Sequence, residues 1–300
     1  MRYRGWKQFL LFVLPAYTLI AVFVITPILG TIYLSFETES GLGLDNYIAV
    51  IEETSPDKAL VYLQGMPRPP PWGAMVHNMV WIAIHLPLSI GLGLVLAYIL
   101  RGVKGGSIVK SIMFLGMVVP MVVGGLMIRF MYDEFIGVVP RLFALLGVEG
   151  ILAKNWLIYP QTSLIALILG SVWLWTGFNL TVFSAALESL PSSVIEAAMI
   201  DGASSWQIFS RIVVPQLRPA IMIAVIMTVL WDLKIFDIVY VSTFGGPGGS
   251  STVLALVMYI YFARALDYGR SAAVAIILAL LTLIPGIWFI REVRKGEKKD

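Results

Sequence analysis

The run Glu196-Ala197-Ala198-Met199-Ile200-Asp201-Gly202 is followed, after nine residues, by Ile212-Val213-Val214-Pro215. This polar segment lies between two long apolar stretches, one ending near Ala185 and the other beginning at Pro219. A short polar connection flanked by apolar stretches is typical of a loop between membrane spans, and it determines how the rest of the chain is interpreted.

The spacing of its residues predicts the local structure of this segment. Ser193 and Glu196 have the spacing of a capping box, so we expect a helix to begin near Ser193. Gly202 can adopt the left-handed conformation that ends a helix at little steric cost. Ser204 and Gln207 repeat the capping-box spacing. The segment therefore predicts a helix, a glycine break and a second helix that runs toward Pro215.

The composition indicates a membrane protein. The chain is 59% hydrophobic and 13% charged, whereas soluble domains are about 25% charged. The apolar stretch Ser111–Ile128 lies at the lower limit of length for a membrane span, and another, which starts at Pro219, is interrupted by charged residues. The stretches that are long enough to cross unaided are Phe9–Tyr33, 79–100, 163–185 and Ser271–Ile290.

The distribution of basic residues predicts the orientation. Both ends of the chain are expected to be cytoplasmic, because basic residues concentrate on that side of membrane proteins. Two ends on one side require an even number of crossings, so 219–241 is predicted to cross as one helix despite its charges. The sequence thus predicts an all-α membrane protein with six transmembrane helices. The basic residues in question are Arg2, Arg4, Lys7, Arg101, Lys104, Lys110, Arg291, Arg294, Lys295, Lys298 and Lys299.

Several kinds of chemistry find no support in the residues. The chain has no cysteine, and its two histidines, His77 and His85, form no metal-binding constellation. No phosphate-binding loop motif occurs, so ATP would have to be bound by another chain. We assign no catalytic residue, no metal and no cofactor, and the net charge of +3 gives no reason to expect nucleic acid.

The predicted external segments differ in character. Segment 35–72 is acidic and then proline-rich, and it is expected to form a compact cap. Gly245-Gly246-Pro247-Gly248-Gly249 predicts a turn after the fifth span. The apolar residues 252–262 that follow are too few to cross a membrane, so they predict an interfacial or re-entrant helix.

The segment around Glu196 resembles the signature loop of permease subunits in binding-protein-dependent ABC importers, except that Val214 stands where leucine is usual. Phe236-Asp237-Ile238-Val239-Tyr240 and the glycine-proline run after it resemble the sugar-permease branch of that family. The resemblance implies a coupling loop that docks on the ATPase. Its coupling residues would be Glu196, Ala197, Ala198, Asp201, Gly202, Ile212 and Pro215.

The same resemblance implies an architecture and a set of partners. Residues 72–290 would form a type I ABC importer core that contains the coupling loop 188–218. Residues 1–71 would add a leading helix and the external loop, and 291–300 a basic cytoplasmic tail. The implied partners are a second permease subunit, expected to be a paralogue, an ABC ATPase dimer, an extracytoplasmic sugar-binding protein and membrane lipid.

Charged and aromatic side chains in the fourth and fifth predicted spans are candidates for the substrate pathway. Lys234 and Asp237 lie three apart on the predicted helix, close enough to pair. Charges at membrane depth are costly and should face protein or a water-filled cavity, so the alternative is a structural lock between helices. The candidates are Trp175, Asn179, Trp231, Asp232, Lys234, Asp237 and Tyr240.

Other functions remain open on the residues alone. An importer for another small solute, such as glycerol phosphate, would have the same loop and topology. A secondary transporter driven by protons could use Asp232, Lys234 and Asp237, and a membrane enzyme is the third alternative. These charges distinguish none of them from a sugar permease.

Overall fold

A computed structural model describes residues 6–62 and 70–296. Four of the basic residues from which the orientation is predicted lie outside the described ranges: Arg2, Arg4, Lys298 and Lys299. The proline-rich residues 67–69 also lie outside them. In chain order the helices are α1 (Trp6–Ile20), α2 (Thr26–Phe36), α3 (Asp45–Ile51), α4 (Ala74–Ile99), α5 (Gly106–Val118), α6 (Met121–Met131), α7 (Val138–Leu145), α8 (Ser163–Glu188), α9 (Ser192–Ile200), α10 (Ser205–Ile208), α11 (Val214–Gln216), α12 (Arg218–Leu233), α13 (Asp237–Ser242), α14 (Leu254–Tyr259) and α15 (Tyr268–Gly296).

Short segments complete this architecture. Wide π-type turns join α1 to α2, join α10 to α11, and extend α14 to Ala265. Two-residue strands β1 (Glu37–Thr38) and β2 (Gly41–Leu42) pair antiparallel, with Glu37 opposite Leu42. Single 3₁₀ turns cover Gly150–Ala153 and Trp156–Ile158.

Four helical stretches are long and apolar enough to cross a membrane: Leu10–Phe36, Ala74–Ile99, Ser163–Glu188 and Tyr268–Arg291. Two further pairs of helices qualify only together, because each is bent by more than 40°. If each bent pair counts as one crossing, the described residues contain six. This result agrees with the predicted all-α protein and its six apolar segments.

The third predicted span is broken at Pro120. α5 and α6 meet there at 106°, and both Val119 and Pro120 are extended, with ψ of 127° and 134°. Proline has no N–H to donate and disfavours helical backbone in the residue before it, which accounts for the break.

The fifth predicted span is not the single helix 219–241, and that prediction was wrong. α12 ends at Leu233, and α13 begins only at Asp237. The chain also turns by 72° at Leu217, between the preceding helical segment and α12. Lys234 and Asp237 therefore do not share a helix, and the described residues show no ion pair between them.

The core lies around α8. Among the 18 most apolar consecutive residues of each long helix, 67% are buried in α8, whereas none are buried in the leading helical stretch Leu10–Phe36. Close approach needs glycine: a Cβ on Gly177 of α8 would lie 2.2 Å from the carbonyl oxygen of Met113 in α5. We call the end of the bundle that carries residues 188–218 the coupling end. The end with residues 37–62 and 243–254 is the opposite end.

At the opposite end, residues 52–62 are fastened to the apolar helix α14. Tyr261, in the extension of α14, donates a hydrogen bond to the carboxylate of Glu53 at 3.1 Å. Lys58 lies 3.8 Å from the same carboxylate. Because α14 has four buried residues in succession, Leu254–Val257, it is packed within protein, as a re-entrant segment would be.

The environment of Glu53 changes its acidity. Burial raises its pKa, but hydrogen bonds from the hydroxyl and backbone N–H of Ser55 and from Tyr261, and the charge of Lys58, outweigh burial. The net result lowers the pKa of Glu53 to about 2. The carboxylate is therefore held in its charged form by groups from two segments.

Candidate functional site

Residues 188–218, which we call the coupling segment, fold as two helices about a glycine. α9 begins at Ser192 with Pro191 before it, and no side chain caps it, so the capping box predicted at Ser193 is absent. Gly202 has φ of +78°, the left-handed conformation that the sequence predicts.

The second predicted capping box is present. The Ser204 hydroxyl accepts from the Gln207 backbone N–H at 3.3 Å, and the Gln207 side chain accepts from the Ser204 N–H at 2.7 Å. These two bonds satisfy N–H groups that the start of a helix otherwise leaves unpaired. The coupling segment thus has a defined helix–turn–helix shape.

One face of the coupling segment is anchored in the bundle. Its buried side chains join a cluster with Ala97 of α4, and with Phe183 and Leu187 of α8. The Tyr98 and Phe209 rings lie 4.9 Å apart, centroid to centroid, which adds a contact between α4 and the π-type turn. The anchoring residues of the segment are Ala198, Ile208, Val213 and Leu217.

The other face is exposed and partly apolar. Ile200 is 86% exposed, Trp206 71% and Met199 59%. Among the predicted coupling residues, Ala198 is buried and Ile212 half-buried. The other five predicted coupling residues are exposed on this face: Glu196, Ala197, Asp201, Gly202 and Pro215. We call this exposed surface the docking face.

A small cavity lies between α4, α8 and α12. It has a volume of about 20 Å³, which is room for about one water molecule and not for a larger ligand. Three of the predicted pathway residues, Trp175, Trp231 and Asp232, line it, together with Trp81, His85, Met121, Ser171, Leu174, Ile235 and Ile238.

Asp232 and His85 form a close polar contact in this cavity. His85 Nδ1 lies 2.8 Å from Asp232 Oδ1, and both side chains are at least 96% buried. Asp232 Oδ2, His85 Nε2 and Trp81 Nε1 have no hydrogen-bond partner within the described residues. Buried polar atoms of this kind are uncommon, and here they gather around one cavity.

Two tryptophans form a wall of the same cavity. The Trp175 and Trp231 rings lie 4.1 Å apart, and Trp175 Nε1 donates to the Thr228 hydroxyl at 2.9 Å. Trp231 is 37% exposed, so this wall extends to the surface. The arrangement offers flat apolar faces beside a carboxylate.

The structure separates the remaining pathway candidates. Asn179 is fully buried between α8 and α4, does not line the cavity, and has no hydrogen-bond partner within the described residues. Gly93 permits this packing, since a Cβ there would lie 2.6 Å from the Asn179 Cβ. Lys234 is exposed just after α12, and Asp237 is half-buried at the start of α13.

Tyr240 belongs to an aromatic cluster at the opposite end. Its ring stacks on Phe236 at 5.1 Å and lies 5.3 Å from Phe244, and its hydroxyl is 3.3 Å from that of Tyr259. The guanidinium of Arg264 covers the Phe244 ring at 4.3 Å. Phe236 and Tyr240 belong to one run of sequence that was singled out above, but no local pattern linked Tyr259 to it.

Two polar residues of α4, His85 and Asn78, were not among the predicted site residues. His85 contacts Asp232, and Asn78 accepts a hydrogen bond from the backbone N–H of Leu254. Their partners Asp232 and Leu254 are distant in the chain, so sequence spacing carries no signal for these contacts.

Comparison with known proteins identifies relatives over nearly the whole chain. A probable ABC transporter permease protein of Pyrococcus horikoshii is 56% identical over 95% of this chain and 97% of its own. The trehalose/maltose transport system permease protein of Thermococcus litoralis is 31% identical over 94% of this chain and 92% of its own.

A solved structure shares the fold. It is that of a bacterial ABC transporter involved in the import of the acidic polysaccharide alginate. The match has a TM-score of 0.79 at 19% identity and covers 97% of this chain and 96% of that one.

The model of the family "binding-protein-dependent transport system inner membrane component" matches residues 89–290, which include the coupling segment, the cavity residues of α8 and α12, and the aromatic cluster. With relatives that align from end to end, this match shows that the chain belongs to the permease family of binding-protein-dependent ABC transport systems.

Proposed function

We propose that this chain is one of two permease subunits of an ATP-driven sugar importer and forms half of the translocation pathway. The observation that carries the proposal is the docking face, an exposed apolar surface on a coupling segment whose other face is anchored in the bundle. Exposed apolar surface of this kind marks an interface with another protein.

The partner at the docking face is an ABC ATPase dimer. Glu196 and Asp201 place negative charge beside Met199, Ile200 and Trp206, so a complementary cleft would be apolar with basic groups at its rim. ATP is bound and hydrolysed in that partner, and this subunit transmits its motion. The remaining partners are a second permease and an extracytoplasmic sugar-binding protein.

The transported solute is a sugar or small oligosaccharide. The support is the similarity to a trehalose/maltose permease and the chemistry of the site. Trp175 and Trp231 supply flat faces for a sugar ring, and Asp232 supplies a hydrogen-bond acceptor for hydroxyl groups. Because the cavity admits only about one water, the sugar site is completed by the second permease.

The proposed orientation puts the coupling segment and both chain termini in the cytoplasm. The basic residues beside the spans support it, since Arg101 and Lys104 follow α4 and Arg211 and Arg218 lie in the coupling segment. The opposite end, with the aromatic cluster and α14, then faces outward to receive the binding protein. In this proposal the protein is located in the cell membrane.

A reconstituted transporter tests this function. The chain, its partner permease, its ATPase and its binding protein are placed in proteoliposomes, and uptake of labelled trehalose and maltose is measured with and without internal ATP. We expect uptake to require ATP and the binding protein and to persist when a protonophore collapses the proton gradient.

The same assay distinguishes the alternatives. Uptake that survives inactivation of the ATPase but collapses with the proton gradient indicates a secondary transporter and overturns the proposal. ATP-dependent uptake of glycerol phosphate without uptake of any sugar leaves the ATP-driven importer in place and overturns the assignment of a sugar.

A further inference from the structure

Asn78, in the second turn of α4, joins three parts of the molecule through its side chain. Its amide nitrogen donates to the carbonyl oxygens of Asp232 at 3.0 Å and Leu233 at 3.2 Å. Its amide oxygen accepts from the backbone N–H of Leu254 at 2.9 Å. The side chain is completely buried.

These partners are backbone groups that helix ends leave unpaired. α12 ends at Leu233, so its last carbonyls have no N–H donor one turn further along the chain. α14 begins at Leu254, whose N–H has no carbonyl one turn before it. Asn78 therefore caps the end of one helix and the start of another from a third.

Neighbouring contacts strengthen the same junction. His77 Nδ1 lies 2.7 Å from the carbonyl oxygen of Thr252, and His77 Nε2 accepts from the backbone N–H of Trp72 at 3.0 Å. Ser250 shares a hydrogen bond of 2.7 Å with Ser163 at the start of α8. The chain from Ser250 to Leu254 is at most 1% exposed, so these bonds are shielded from water.

We propose that Asn78 is a positioning residue that fastens the end of α12 and the start of α14 to α4, so that the three elements move as one body when the permease changes conformation. Three residues separate α12 from α13, so the end of α12 is not held in place by a continuous helix. Asn78 instead holds this end of α12 against α4 and keeps Asp232 directed at the cavity.

The consequence is a direct mechanical route through this chain. α12 follows the coupling segment and spans about 24 Å at 1.5 Å per residue. A displacement of the coupling segment then reaches Asp232 and, through Asn78, α14 at the opposite end. The route rests on the proposed docking of an ATPase, but not on which solute is carried.

Spin labels test whether the elements form one body. The chain contains no cysteine, so Met227→Cys in α12 and Phe262→Cys beyond α14 provide the only two thiols of this subunit. Both positions are exposed, at 40% and 55%. The label-to-label distance is measured by electron spin resonance in the complete transporter, without nucleotide and with a non-hydrolysable ATP analogue.

We expect one unchanged distance distribution in both nucleotide states with Asn78 present. Asn78→Asp keeps an acceptor for Leu254 but has no NH₂ group and cannot donate to both carbonyls, so the distribution should broaden or shift with nucleotide. Uptake should fall about tenfold in Vmax with little change in KM. Ser89→Ala is the matched control, since Ser89 is equally buried in α4 but, within the part of the chain that the structure describes, bonds only to Leu86 of its own helix.

Two results would overturn the proposal. One is a distance that changes with nucleotide while Asn78 is intact, which needs no variant and therefore holds even if Asn78→Asp does not assemble. The other is an Asn78→Asp transporter with the same distances and uptake as Ser89→Ala. Loss of sugar uptake with ATP-driven distance changes elsewhere in the complex would count against the sugar assignment alone.

Discussion

Individual polar residues in this permease are placed by contacts between distant parts of the chain. Asp232 meets His85, Asn78 meets Leu254, and Glu53 meets Tyr261. The first two contacts bury polar atoms that would be costly if left unpaired in a membrane protein, and the third fastens residues 52–62 at the opposite end. A residue-level test must therefore separate loss of a structural contact from loss of a transport role.

Asp232 allows this separation. Asp232→Ala leaves His85 buried without its contact and should lower stability by about 1–3 kcal/mol, together with uptake. Replacing both residues by leucine removes both polar groups and should restore most of the stability while uptake stays low. Thermal unfolding of the purified complex and sugar uptake measure the two effects.

The double replacement determines the role of the pair. If it restores uptake as well as stability, the contact is a lock between α4 and α12 and Asp232 has no part in the pathway. Asp237→Asn is a useful comparison, because Asp237 is half-buried and does not line the cavity.

At the scale of secondary-structure elements, the bends and breaks between helices determine the packing more than the continuous helices do. α6 follows a 106° bend at Pro120, and its Gly125 lets the backbone of α13 approach, since a Cβ there would lie 3.2 Å from Ile238. The short elements α13 and α14 and residues 52–62 pack together at the opposite end. Their contacts include charged groups, so this end should respond to pH.

Glu53 gives a pH-dependent prediction for this end. Its pKa is lowered to about 2 in the folded protein, so its stabilising effect is complete above the unfolded value near 4.5 and is lost as pH falls through about 2. Glu53→Gln should make residues 52–62 easier to cleave by protease at neutral pH. That difference from the unmodified protein should shrink as pH falls from 4.5 toward 2.

Glu52→Gln is the control, because the neighbouring Glu52 side chain is exposed. An acid-tolerant protease such as pepsin covers the low part of the range. Equal cleavage of both variants at neutral pH, or a difference that grows with acid, would contradict the assigned role of the Glu53 carboxylate.

The whole molecule has the features of one subunit of a larger complex. Its leading span is unburied within this chain, its cavity admits about one water, and its coupling segment presents an apolar face to solvent. These surfaces fit a protein completed by a second permease and an ATPase. Transport should therefore be sensitive to changes that leave this subunit itself intact.

Gly202→Asp tests the coupling of the whole complex. Gly202 has φ of +78° with open space around it, so an added side chain meets no clash but projects into the docking interface. We expect the variant to insert in the membrane, to lose nearly all uptake, and to retain less ATPase in the membrane fraction. Immunoblotting of that fraction and uptake in cells are the measurements.

Gly102→Asp provides a matched control for this substitution. Gly102 has φ of +72° and equally open surroundings, but it lies in the turn after α4 and not in the coupling segment. Uptake in Gly102→Asp should stay near that of the unmodified protein. Equal losses in both variants would mean that backbone strain, and not docking, explains the effect.

The sequence alone determined the class of the protein and, in its coupling segment, the glycine turn and the start of the second helix, but not the cap of the first. Long apolar stretches require helices in a membrane, because backbone polar groups there must be satisfied internally. Gly202, Ser204 and Gln207 determine the turn and the second helix through bonds within four residues. Both are local effects, and local effects can be read from spacing.

The tertiary structure decided what the polar residues of the spans do. The sequence predicted a continuous helix over 219–241 with Lys234 and Asp237 close enough to pair, but the helix ends at Leu233, and Asn78, far away in sequence, caps the carbonyls there. His85 likewise takes Asp232 as its partner across two helices. Such contacts depend on how the helices pack, and side-chain spacing along one helix does not record which other helix lies beside it.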